Sequence, residues 1–324
     1  MGVQPNASVG EQFKLNRPGR VRLTYNYSYS DTDHFYFHEH RQHAVERATL
    51  ATSLLNEHLA ILEVDATARL SGVLEVPFLY GRQTRSGPGS LAVNGAMVGA
   101  GLGDVRVGAR FWILDKECAL RLYGLAGVRL PTGASDEKFT SQAGRRVDKD
   151  VSVQPGTGNL AGYLELGGTY DVKDAPLGLF FQGRYTFAPA THTRARNFRN
   201  QLSGAGYKYN SDPDSASWKA GVVLSLGKAI REQVSDEASP LVDGFAMLFS
   251  VGGAHVPYDD IFGGNSGFRR GANIFFVEPG IVWAFNDRVT WSLSSPITVY
   301  KYVTRNGGNV PEFIVQTGLT IALN

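Results

Sequence analysis

The chain has 324 residues, a formal net charge of +2 and a single cysteine. The near-neutral charge argues against a dedicated nucleic-acid surface, and one cysteine excludes an internal disulfide framework. Aromatic residues make up 11% of the chain and charged residues 19%, and there are 38 glycines, a composition that suits strands and turns. No run approaches about 18 consecutive apolar residues, so no transmembrane helix is predicted.

The clearest predicted strand covers residues 20–30, where apolar and polar residues alternate with a period of two. Val21, Leu23 and Tyr25 lie on one face of this strand, and Arg22 and Thr24 lie on the other. The same period returns in four further segments, at residues 59–65, 69–80, 105–114 and 119–130. Each segment therefore predicts a strand with one apolar and one polar face.

The second half of the chain keeps this pattern. Seven more segments alternate, at residues 160–171, 177–187, 217–226, 244–253, 273–285, 289–300 and 312–323. The total is about twelve strands. An even number is typical of single-chain bacterial outer-membrane barrels.

The predicted connections fall into two length classes that alternate along the chain. Short turns at 67–69, 115–117, 173–176 and 286–288 separate long loops at 31–57, 82–101, 133–158, 189–216, 254–271 and 303–311. Short periplasmic turns and long extracellular loops are typical of outer-membrane barrels. One connection, 229–244, is long where a short turn is expected, and we expect a small periplasmic helix there.

Charged residues repeatedly occupy the polar phase of the strands. Burying them in the dry core of a soluble β-sandwich, the alternative fold, would cost several kcal/mol each unless they were paired. A wet or mutually paired barrel lumen accepts them. The predicted lumen residues are Arg22, Glu75, Asp104, Arg106, Arg110, Arg121, Arg129, Glu165, Arg184 and Glu278.

These observations predict an all-β, antiparallel transmembrane barrel of about twelve strands. Residues 1–19 would form a periplasmic segment, and residues 20–324 a single barrel domain. The N-terminal residues do not have the pattern of a signal peptide, so we expect that one was removed on export. The expected surroundings are outer-membrane lipid and lipopolysaccharide, with the barrel as a monomer.

Several ordered fragments resemble the bacterial outer-membrane family called meta-pathway of phenol degradation, or transporter. They are Gly101-Leu102-Gly103-Asp104-Val105, Leu130-Pro131-Thr132-Gly133, Gly156-Thr157-Gly158-Asn159, Val277-Glu278-Pro279-Gly280-Ile281 and Ser295-Pro296-Ile297. The resemblance spans roughly residues 60–323, and the chain departs from it by ending in Leu323-Asn324 where an aromatic residue is typical. It implies a barrel and suggests transport of aromatic or other small compounds.

The first long loop is rich in histidine. His34, His38, His40 and His43 lie close in sequence to acidic residues, and imidazole with carboxylate at such spacing is a candidate site for zinc, copper or nickel. The alternative is a solvated loop in which histidine serves no site. No other cofactor is predicted.

Catalysis is the least favoured alternative. Gly99, Gly101 and Gly103 are followed by a strand, so no helix N-terminus is present to bind a phosphate. A hydrolase at the barrel rim would need paired acid and imidazole groups, and Asp33 with His34, or His255 with Asp259 and Asp260, meet this only by proximity in sequence. The chain is therefore predicted not to be an enzyme.

The lumen remains the best candidate site. On the fourth and fifth predicted strands arginines outnumber acids, which predicts a partly positive wall that attracts anions. The expected function is passive passage of small molecules, either anionic or aromatic. The alternatives are an occluded structural or surface-interaction barrel that acts through its outer loops, and the rim hydrolase.

Overall fold

The computed structural model describes residues 19–85, 95–114, 119–141, 144–173, 175–204, 206–226, 244–261, 267–269, 271–286 and 288–323. Residues 1–18 of the predicted periplasmic segment, Cys118 and nearly all of the connection 229–244 lie outside these ranges. Among the described residues, no helix has the length and apolar character needed to cross a membrane.

The described chain is almost entirely β-structure with two short helices. The strands are β1 (Val21–Thr32), β2 (Phe35–His38), β3 (His40–Arg41), β4 (Thr52–Asp65), β5 (Leu70–Arg85), β6 (Gly95–Leu102), β7 (Arg106–Trp112), β8 (Leu120–Arg129), β9 (Lys138–Thr140), β10 (Arg146–Asp148), β11 (Ala161–Asp171), β12 (Leu177–Phe187), β13 (Ser215–Ser225), β14 (Phe245–Val256), β15 (Gly271–Ala284), β16 (Val289–Ser294), β17 (Ile297–Asn309) and β18 (Val315–Ala322). The helices are α1 (His43–Thr49) and α2 (Phe198–Ser203).

The strands close into one antiparallel barrel. Strand β1 pairs with β4 on one side and with β18 on the other, so the first and last barrel strands meet. Two barrel strands are interrupted, one into β6 and β7 and the other into β16 and β17. Counted as single crossings, these make twelve strands in all, which confirms the predicted fold.

The strands reach further toward the long loops than their apolar patterns indicate. Strand β4 begins at Thr52 and β17 ends at Asn309, within segments predicted as loops. The first long loop also contains β2, β3 and α1. Backbone pairing satisfies the peptide groups whatever the side chains are, so polar segments above the apolar band remain extended.

The two faces of the wall separate by polarity. Outward side chains such as Leu23, Phe111 and Trp218 are more than two-fifths exposed, whereas inward Arg22 and Glu278 are at most 4% exposed. Exposed apolar residues form the surface that lipid covers in a membrane barrel. The polar phase of the strands therefore lines the interior.

Tyrosine rings on the inner wall lie over glycines of neighbouring strands. A Cβ atom at Gly127 would stand 2.5 Å from Cζ of Tyr163, and one at Gly108 would stand 2.7 Å from its hydroxyl oxygen. Tyr123 covers Gly167 in the same way. The absence of a side chain at these glycines thus lets two aromatic rings lie flat against the wall.

The long connection between β8 and β11 folds back against the inside of the barrel. Its single turn of 3-10 helix, Val151–Val153, contacts the wall where Gly81 lies on β5 and Gly99 on β6. Val153 also packs with Met97 and with Phe198 of α2. Loop residues therefore narrow the lumen on the long-loop side.

Candidate functional site in the barrel lumen

The half of the lumen on the short-turn side, here called the floor, is built from shared ion pairs. Arg22 contacts Asp65 at 2.8 Å and Glu63 at 2.7 Å. Glu63 also accepts from Arg110 at 2.8 Å, and Asp65 accepts from Ser71 at 2.8 Å. These side chains come from four different strands, so the pairs join the wall across the interior.

A second group in the floor centres on Glu75. Its carboxylate accepts from Arg106 at 2.8 Å and from Arg184 at 2.7 Å. Arg184 also donates to Glu165 at 2.7 Å, and the Tyr123 hydroxyl donates to the other oxygen of Glu165 at 2.9 Å. Each charge in this group is therefore paired by a charge from another strand.

The remaining predicted lumen residues are also paired. Arg129 donates to Asp212 at 2.9 Å and lies 3.8 Å from Asp104. Arg121 is bonded to Asp171. On the opposite wall Glu278 pairs with Lys219 at 2.8 Å and accepts hydrogen bonds from Ser250 and Ser294.

This pairing corrects the expectation of a positive wall. All six inward arginines contact at least one carboxylate: Arg22, Arg106, Arg110, Arg121, Arg129 and Arg184. The acids that neutralise them come from β4, β5, β11 and the loops, which a count restricted to the fourth and fifth barrel strands leaves out. The described part of the lumen therefore shows no unpaired arginine that would attract an anion.

Above the floor, toward the long loops, lies a cavity of about 340 Å³. Apolar side chains of the wall line much of it, from β4, β5, β14 and β15: Leu55, Pro77, Leu79, Ala254, Val256, Ala272, Ile274 and Phe276. Val153 and Pro155 of the inward-folded loop and Pro213 of the next loop also line it. Neutral polar side chains such as Ser53, Gln154 and Asn309 lie between these apolar residues. Glu57, Arg106 and Arg129 are the charged wall residues that border it.

Asp104, at the interruption between β6 and β7, fixes the position of the loop residues that line the cavity. Its carboxylate accepts from the backbone nitrogens of Gly133 at 3.0 Å and Thr157 at 2.9 Å. Burial raises the pKa of the neighbouring Asp212 carboxyl above its ordinary value, although Arg129 and Asn159 act in the opposite direction. Asp104 therefore anchors the inward-folded loop at the border of the cavity.

Sequence reasoning missed most of the cavity. Val153, Pro155 and Asp212 lie in loop segments without alternation of apolar and polar residues. Nothing in the sequence therefore indicates that they enter the lumen. The inward phase of β4 could have identified Glu57, because it shares that phase with Glu63 and Asp65.

The structure does not bring the four predicted metal-binding histidines together. His34 pairs with Glu312 at 2.7 Å, and this hydrogen bond lowers the pKa of Glu312. The ring of His38 packs on Tyr302, while His40 and His43 point to separate acids. Within the described ranges no cluster of three or more His, Cys, Asp or Glu side chains is placed to hold a metal ion.

Zinc titration tests the metal prediction directly. A site on this loop requires micromolar or tighter binding that is lost in the variant His38→Ala/His40→Ala. Isothermal titration calorimetry of the refolded protein measures it. Heat that does not differ between the wild type and this variant would exclude the site.

Of the two predicted rim pairs, His34 with Asp33 is formed, whereas His255 makes no described contact with Asp259 or Asp260. His255 is bonded to the side chain of Asn273, while Asp260 is bonded to Arg269. His34 lies 3.3 Å from Asp33 but also contacts Glu312. Nothing in these contacts favours a hydrolase.

Comparison with known proteins identifies the fold. No family model matches the sequence, and no curated protein matches it. A solved outer membrane channel from Pseudomonas putida F1 aligns over 98% of this chain and 100% of its own, with a TM-score of 0.63 and 14% identity. This likeness supports the outer-membrane type of barrel. The resemblance to the meta-pathway family is not confirmed and stays a prediction.

Two further solved barrels align less closely. The translocator domain of the autotransporter NalP from Neisseria meningitidis aligns over 94% of this chain and 89% of its own, with a TM-score of 0.47 and 12% identity. The toluene transporter TbuX from Ralstonia pickettii aligns over 95% and 89%, with a TM-score of 0.40 and 9% identity. The fold assignment therefore depends on the first alignment and on the strand pairing.

Proposed function

We propose that this barrel lies in a bacterial outer membrane and gives passive passage to small, largely apolar molecules. The observation that carries the proposal is the cavity of about 340 Å³ inside the closed barrel. Cavities of this size with mostly apolar lining and a few polar groups are typical of small-molecule sites. A cavity of about 150 Å³ already holds benzene, so a substituted single ring fits here.

The paired arginines change the class of solute that we expect. Anions would have to break an existing ion pair to reach a positive charge, because Arg106 and Arg129 are already bonded to Glu75 and Asp212. An apolar solute needs no such exchange. We therefore favour aromatic and other apolar compounds over anions.

Three observations support the proposed location. The outward face is apolar, the barrel is closed, and the aligned protein from Pseudomonas putida F1 is an outer membrane channel. Lipid and lipopolysaccharide would then surround the barrel, with the cavity opening toward the long extracellular loops. Strand β1 closes on β18 of the same chain, so one copy completes the wall and a monomer suffices.

Uptake by intact cells tests the proposal. Apolar solutes cross phospholipid bilayers unaided, so the assay uses a Gram-negative host whose lipopolysaccharide leaflet slows them. Cells expressing the barrel are expected to take up radiolabelled benzyl alcohol faster than cells without it. Ala254→Trp, which fills the cavity from β14, should abolish this gain, whereas Ala60→Trp on the outward face should keep it.

Either of two results would contradict the proposal. One result is uptake equal to that of cells without the barrel, although gel mobility verifies that the barrel is folded. This result would favour an occluded scaffold that acts through its outer loops. Unchanged uptake by the folded Ala254→Trp variant would show that solute does not pass through the cavity.

A further inference from the structure

One carboxylate at the border of the cavity has no partner. Glu57 lies on the inward face of β4, and among the described residues its side chain makes no hydrogen bond and no ion pair. Its direct neighbours across the sheet are Ser28 on β1 and Leu79 on β5. Glu57 is half-buried, so its carboxylate reaches the space that a solute would occupy.

Every other charged side chain that lines the cavity is already paired. Arg106 is bonded to Glu75, and Arg129 is bonded to Asp212 and lies near Asp104. Arg269 is bonded to Asp260. Glu57 is thus the unpaired charge in the described lining.

The surroundings of Glu57 make a solute the natural partner. Leu55, Pro77 and Leu79 flank it on β4 and β5 and offer no hydrogen-bond donor from their side chains. The charge of Arg106 acts on Glu57 only through space, because its guanidinium is bonded to Glu75. A carboxylate that is partly removed from water and lacks a donor is costly, and a bond to a charged group recovers more free energy than a neutral one. A solute that brings a donor therefore gains affinity at this position.

We propose that Glu57 selects solutes that combine an apolar body with one hydrogen-bond donor, a hydroxyl or an ammonium group. This inference rests on the proposed passage of small molecules and names the class that the cavity prefers. The apolar lining holds the body of the solute, and Glu57 accepts the donor. Carboxylate solutes are repelled by the same side chain.

A matched series of one-ring probes tests the selection. The probes are 4-fluorobenzyl alcohol, 4-fluorobenzylamine, 4-fluorotoluene and 4-fluorobenzoate, whose binding to the refolded barrel in lipid nanodiscs is followed by fluorine NMR at neutral pH. The Ala254→Trp variant supplies the blank for partition into lipid. The alcohol and the amine should each bind about tenfold or more tighter than the toluene, and the benzoate weaker than the toluene.

Two substitutions separate the hydroxyl from the ammonium group. Glu57→Leu should remove both preferences and leave the toluene bound as before. Glu57→Gln keeps an acceptor oxygen but no charge, so the amine should lose about tenfold or more while the alcohol loses only a few-fold. Glu46→Gln on α1, outside the cavity lining, is the matched control and should change nothing.

The results distinguish this inference from the proposed function. An alcohol-to-toluene ratio that Glu57→Leu leaves unchanged would overturn the role of Glu57, as would benzoate binding as tight as that of the alcohol. If cells expressing the barrel still take up benzyl alcohol, passage would stand without this selection. If the probes bind as expected but uptake equals that of empty cells, the cavity would be a binding site without passage, and the proposed function would fail alone.

Discussion

Replacing Glu75 with alanine is expected to destabilise the folded barrel by about 3–5 kcal/mol. Glu75 is 2% exposed and pairs with both Arg106 and Arg184. Its removal leaves Arg106 without its described ion-pair partner and takes one of two carboxylates from Arg184. An uncompensated buried charge costs far more than an ion pair gains, which is why a single change has so large an effect. Urea unfolding of the barrel in lipid vesicles measures it.

The matched control is Glu137→Ala in the long loop between β8 and β11. Glu137 also pairs with a cation, Lys149 at 2.7 Å, but its side chain is 25% exposed, whereas that of Glu75 is 3% exposed, and its removal affects one cation rather than two. Water replaces the lost partner there, so the expected loss is about 1 kcal/mol or less. Equal losses for the two variants would show that the floor is hydrated and that its ion pairs are not structural.

A charge placed on the outer wall is expected to have the second-largest effect on the stability of the barrel in lipid. Val107 is 42% exposed on the outward face. It stands in a row of paired outward residues that runs around the wall: Val128, Val107, Leu74, Leu62, Leu23 and Ile321. Val107→Arg should destabilise folding in lipid by about 2–4 kcal/mol if this row lies near the middle of the bilayer.

Equilibrium unfolding from lipid vesicles compares this variant with Val107→Leu, which keeps the apolar surface and should change stability by less than about 1 kcal/mol. A detergent with a thin apolar layer should reduce the penalty of the arginine, because its charge then reaches water. Folding in lipid that is indifferent to Val107→Arg would show that the outward face of β7 is not in contact with hydrocarbon.

The barrel was predictable because its signal is periodic. Alternation places Arg22 and Leu23 on opposite faces, and it does so in every crossing strand, so strand number and orientation follow from the sequence. The upper ends of the strands were not predictable in the same way. Beyond the apolar band, as at Thr52 and Asn309, backbone pairing continues without a side-chain pattern.

The alternating pattern identified the charged lumen residues individually. It did not indicate which of them form ion pairs with each other. Arg184 lies on β12 and Glu75 on β5, and no spacing along the chain indicates that they meet across the interior. The inward fold of the loop at Val153 depends on glycines at positions 81 and 99, which alone predict only a bend or a close approach. Long-range contacts of this kind determine the shape of the cavity and neutralise the arginines that were expected to make its wall positive.

The shared carboxylates of the floor also bear on how such a barrel can evolve. A change at Glu63 or Glu75 breaks contacts to two arginines at once, so compensating changes on other strands must arise with it. Leu55 and Ile274 in the cavity wall contribute only shape and can be exchanged singly. We therefore expect descendants of this chain to differ in the molecules they admit while inheriting the same floor.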